Sequence, residues 1–196
     1  MRSLRPTALA LLLTLGACDA GAPDDGPLAE NTFAVQVGDG ERTVRQEAHF
    51  GSYVSATTGP TVAMIFGTRP VGSLASITAP VVGFAYDGAS VSVGTYDLAA
   101  VNPSGDPPEG AFIGVYIDPS EYVSGQIGRS GFYYTGEGTV TFEEVDATRA
   151  RGTFSMRAVE LGDGFAALET TAAVEVTGEF HAVHTDAFGQ EDAVWN

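Results

Sequence analysis

The chain has 196 residues, a formal net charge of −16 and nine basic residues, all of them arginine. A surface this acidic repels nucleic-acid phosphates and anionic lipid headgroups, which excludes a nucleic-acid binder and a polybasic membrane surface. The 25 glycines and 10 prolines, with abundant Thr, Val and aromatics, favour many short strands joined by turns around one core rather than a disordered chain.

The first seventeen residues read as an export signal. Arg2 and Arg5 supply a positive start, and Thr7–Leu15 is an apolar run broken only by threonines. That run is shorter than the roughly 20 residues needed to span a bilayer. Leu15-Gly16-Ala17-Cys18 resembles the lipobox of bacterial lipoproteins. The resemblance implies that the Cys18 thiol takes up a diacylglycerol and that Leu15, Gly16 and Ala17 guide cleavage before Cys18. It also implies that the product stays lipid-anchored to a membrane of the bacterial cell envelope. Asp19 resembles the inner-membrane retention signal of enteric bacteria, and inner or outer membrane stays open. Cys18 is the only cysteine, so an internal disulfide is ruled out. Residues 18–31, rich in Gly, Pro and Asp, read as a flexible tether, and 32–196 as a single domain.

From Phe33 onward the apolar period is two. Phe33–Val37 is the first strand, with a turn at Gly38-Asp39-Gly40. Thr43–Phe50 is a second strand, and Ser52–Ala56 and Thr61–Phe66 flank a turn at Thr57–Pro60. Val81–Tyr86 and Ser90–Tyr96 flank Asp87-Gly88, a short-hairpin signal. Asn102–Gly110 reads as a loop, and Ala111–Ile117 as a strand. Gly131–Thr135 and Gly138–Phe142 follow, and Val145 breaks the alternation as a bulge or strand end would. Gly152–Ala158 places Phe154, Met156 and Ala158 on one face; Ala172–Phe180 places Val174, Val176 and Phe180 inward.

One-faced alternation without an amphipathic helix predicts an all-β domain of antiparallel sheet, either a β-sandwich or an up-and-down β-barrel of about 8–11 strands. The segments Gly94–Leu98, Gly138–Asp146, Arg151–Met156 and Val176–Phe180 resemble a β-rich domain family of unknown function found in bacterial cell-envelope lipoproteins. These motifs are strands and turns, so the resemblance brings over no catalytic residues and no activity.

Chemistry-bearing patterns are sparse. His181 and His184 are weak metal candidates, because residues three apart on a strand face opposite sides unless the strand ends near Ala182. Asp39, Asp87, Asp106, Glu109 and Asp163 fall at turns, where Asp-Gly is favoured by geometry alone. Glu143 and Glu144 are adjacent on a strand and are expected to face apart. Phe132, Tyr133 and Tyr134, with Tyr116 and Tyr122, suit core packing better than a groove. The sequence contains no G-x-S-x-G, H-E-x-x-H, P-loop or dinucleotide fingerprint. The expectation is therefore a non-enzymatic envelope domain without a cofactor, of structural or protein-contact role. The alternative is a lipocalin-like binder of a small hydrophobic ligand, which requires a cavity of about 300 Å³ or more.

Overall fold

The computed structural model describes residues 26–55, 59–67, 79–100, 110–120, 131–160 and 173–189. They hold ten strands: β1 (Thr32–Val37), β2 (Thr43–Gln46), β3 (Ala48–Ser55), β4 (Gly59–Phe66), β5 (Val81–Asp87), β6 (Gly94–Ala99), β7 (Phe112–Ile117), β8 (Phe132–Val145), β9 (Arg149–Glu160) and β10 (Val174–His184). The domain is all-β, within the strand number the sequence predicts. All ten strands belong to one mostly antiparallel sheet. β10, β3, β4, β5, β7, β8 and β9 pair in succession, and β9 pairs back to β10, so the sheet is ring-like. β1 flanks β10 and carries β2, while β6 lies along β8. The sequence left sandwich and up-and-down barrel open. The strands form a single ring-like sheet instead of two separate ones, and parallel contacts at β3–β10 and β6–β7 depart from simple up-and-down order.

Three local expectations change. Thr43–Phe50 is not one strand: Glu47 adopts φ 70°, which steps the chain sideways from the edge of β1 to the edge of β10. Asn31 secures that step, because its carbonyl accepts the Glu47 N–H at 3.0 Å and its Oδ1 accepts the Ala48 N–H at 3.0 Å. β3 then runs unbroken across Gly51. Asp87-Gly88 does not close a hairpin either. β5 pairs with β4 and β7, while β6 leaves to join β8. The two expected strands 131–135 and 138–142 are one long β8, bulged between Thr135 and Glu137 and again between Phe142 and Glu144.

Inside the ring the long strands interleave large and absent side chains. Across β1, β10 and β9 one inward row reads Val35, Gly178, Phe154; the next reads Phe33, Phe180, Gly152 and continues to Phe142 on β8. A Cβ at Gly178 would lie 2.5 Å from the Phe154 ring, and one at Gly152 would lie 3.0 Å from the Phe180 ring. Each glycine thus makes room for a neighbouring aromatic, the large-and-small alternation that fills a closed sheet. Phe66 is the hub of this packing. Its ring centroid lies 5.6 Å from Phe33, 5.9 Å from Phe84, 6.1 Å from Phe154 and 5.2 Å from Phe180. A second apolar cluster sits on the outer face, where Ala63, Ile65, Val81, Val115, Ile117 and Phe132 are buried together with Phe188 from the 3-10 turn Ala187–Gly189.

Candidate functional site

Leu15, Gly16, Ala17 and Cys18, like most of the tether, lie outside the described residues, as do Asp106, Glu109, Tyr122 and Asp163. β10 extends through both candidate histidines, so the strand does not end near Ala182. His181 faces outward beside Thr32 and Arg151, its Nδ1 3.2 Å from the Leu28 carbonyl oxygen. His184 sits at the mouth of the ring, edge-on to Phe50 at 5.3 Å and 3.9 Å from Asp186. The pair is not brought together, and among the described residues no three His, Cys, Asp or Glu side chains gather as metal ligands.

Glu143 and Glu144 correct another expectation. The bulge after Phe142 turns both toward the arginines of β9, so they do not face apart. Glu144 pairs with Arg149 at 2.5 Å and Glu143 with Arg151 at 3.6 Å. Each carboxylate thus has its own arginine partner. The tyrosines divide between two packed clusters: Tyr116 and Tyr133 inside the ring at 5.8 Å, Phe132 and Tyr134 outside at 5.1 Å.

Two depressions are lined by described residues alone and are large enough to matter. The first, of about 190 Å³, lies at the ring's mouth between Phe50, Val62, Val91, Val145 and His184. Its rim includes the β8–β9 turn, which Asp146 locks by accepting from the Thr148 hydroxyl and N–H at 2.7 Å each and from the Arg149 N–H at 3.0 Å. The Thr148 hydroxyl bond, followed by these backbone bonds, holds the Asp146 carboxyl below its ordinary range.

The second is a groove of about 380 Å³, open to solvent, on the outer face of β1, β9 and β10. Alternation along three strands directs Gln36, Thr177, Glu179, Thr153 and Ser155 to this side. Arg42, from the β1–β2 connection, reaches β10 and forms an ion pair with Glu179. Ala34, fully buried, forms part of the floor. Single strands show a Thr or Ser every second residue, which β propensity alone explains. The groove itself was illegible, because Arg42 and Glu179 are 137 positions apart and meet only through the β1–β10 pairing.

No family model matches this chain, and neither a curated protein nor a solved structure matches it.

Proposed function

We propose that this chain is an exported lipoprotein whose β domain acts at its outer surface, as a non-enzymatic structural or interaction module of the bacterial cell envelope. In this reading residues 1–17 are removed, Cys18 carries the lipid, and residues 18–31 hold the domain away from the membrane that anchors it. The basic start at Arg2 and Arg5, the apolar run and Leu15–Cys18 support the export half. Stable attachment needs more than one acyl chain, which a diacylated cysteine supplies.

One observation carries the surface half: the ring interior is occupied by its own side chains. Phe33, Phe66, Phe84, Phe112, Phe142 and Phe180 are all essentially inaccessible there. A lipocalin-like binder would keep that volume for a hydrophobic guest. The filled core favours display over enclosure, and a partner or ligand would then meet the outside of the sheet.

The test is Cys18→Ala in cells, followed by membrane fractionation with a high-salt wash and mass analysis of the mature N-terminus. The wild-type chain is expected in the membrane fraction with a diacylated Cys18 at its start. A variant that still sediments with membranes, or a wild-type peptide retaining an unmodified Ala17–Cys18 bond, would overturn the anchor.

A further inference from the structure

We infer that the outer groove between β1, β9 and β10 binds an uncharged oligosaccharide, with the hydroxyl rows beside it extending the site along the ligand chain. This inference goes beyond the lipoprotein reading and does not depend on it, since binding in solution involves no lipid.

The groove's volume, about 380 Å³, falls in the roughly 300–1,000 Å³ range of small-ligand sites. Its polar groups are matched to sugar hydroxyls, which both donate and accept. Arg42 only donates, Glu179 only accepts, and Gln36, Thr153, Ser155 and Thr177 do both. Arg42 and Glu179 neutralise one another, so the groove offers no net cation to a phosphate, sulfate or uronate. The chain's charge of −16 repels such anions further. An uncharged polyol is the ligand class that this set accepts without an unpaired ion.

The surroundings point to a chain rather than a single sugar. The row through Gln36, Thr177 and Ser155 continues to Thr139 and Asp97. The row through Glu179 and Thr153 continues to Thr141 and Thr95, whose hydroxyls are 2.9 Å apart. The four spacings of about 4.8 Å between these five strands give a polar track of roughly 19 Å, of which β8 and β6 carry about 10 Å beyond the groove. Charged side chains flank the track in the next row, where Glu175, Arg157 and Glu137 alternate in sign.

Calorimetric titration of the purified full chain with cellohexaose, fully N-acetylated chitohexaose and oligogalacturonate tests this. At least one neutral hexasaccharide is expected to bind with a Kd between about 10 μM and 1 mM, and the galacturonate at least about tenfold more weakly. Thr177→Val and Ser155→Ala remove one hydroxyl each and should weaken binding by about three- to tenfold. Arg42→Ala should weaken it by about tenfold or more, whereas Ser90→Ala at the mouth leaves it unchanged. Circular dichroism of the Thr177 and Ser155 variants separates lost binding from lost folding. The inference fails if neither neutral hexasaccharide binds at about 10 mM, if the galacturonate binds as well as they do, or if the folded Thr177 and Ser155 variants bind like wild type.

Discussion

β9 and β4 lie in the same sheet and are solvated differently. Along β9 every second residue from Ala150 to Ala158 is buried and those between are exposed. Along β4 all six residues from Thr61 to Phe66 are buried, and β5 shows the same from Val81 to Ala85. The inward faces are alike, each giving one phenylalanine and one methionine to the central cluster: Phe154 and Met156 from β9, Phe66 and Met64 from β4. The difference lies outside, where β9 presents Thr153, Ser155 and arginines to water while β4 presents Ala63 and Ile65 to the second apolar cluster. A strand wetted on one face must alternate; a strand covered on both need not. One ring can therefore be polar and solvated along part of its girth and carry buried hydrocarbon on both faces along the rest.

The largest expected effect tests what the two walls share. Phe66→Ala, at the aromatic hub, should lower unfolding free energy by about 4 kcal/mol, read from the shift in urea midpoint at constant slope. Next comes the difference itself. Ile65→Ala on the covered outer face should lose about 3 kcal/mol, while Ser155→Ala on the wetted one should change stability by less than about 0.5 kcal/mol. Equal losses at the two sites would erase the distinction. A smaller change of opposite sign is expected at Thr135, whose hydroxyl is buried inside the ring without a hydrogen-bond partner. Thr135→Val keeps the shape and removes that group, and should raise stability by about 1 kcal/mol in the same urea experiment.

The weakest effect depends on pH. Burial pushes the Tyr134 phenol above its ordinary value of 10.0. Burial does the same at Tyr53, opposed by a hydrogen bond with Thr61. Both phenols are neutral when protonated, and the folded state holds the proton longer. Their contribution is thus whole below pH 10.0 and disappears as pH climbs through the raised folded values. Stability measured from pH 9 upward should fall along this limb, and Tyr134→Phe should flatten it. An unchanged slope in that variant would take Tyr134 out of the explanation.

The same contrast decides what was legible in the chain. Val140 and Phe142, Phe154 and Met156, and Val176 and Phe180 all point inward as their spacing requires, because water on the other face imposes a polar residue between each pair. Val62–Phe66 and Val81–Ala85 are unbroken apolar runs. They show that a strand exists without showing which face meets which neighbour. Ring closure was hidden for a related reason. β3 touches β10 through two residue pairs only, and β6 bypasses its sequence neighbour β5 in favour of β8. Such pairings are settled by which apolar faces meet in three dimensions, and no short window of residues records that. The groove was hidden in the same way, being assembled from β1, the β1–β2 connection, β9 and β10.

β2 is the one strand with a single strand neighbour among the described residues, and it is four residues long. The left-handed backbone at Glu47 ends it and carries the chain to a position where β3 has partners on both sides. A stranger molecule seeking a template for intermolecular pairing therefore finds a foothold of four residues, with Val44, Arg45 and Gln46 standing clear in solvent. So short and partly charged a ledge is a poor template for adding further strands. Among the described residues, a sheet edge this brief leaves the outer face open to solvent while offering little to strand-by-strand association.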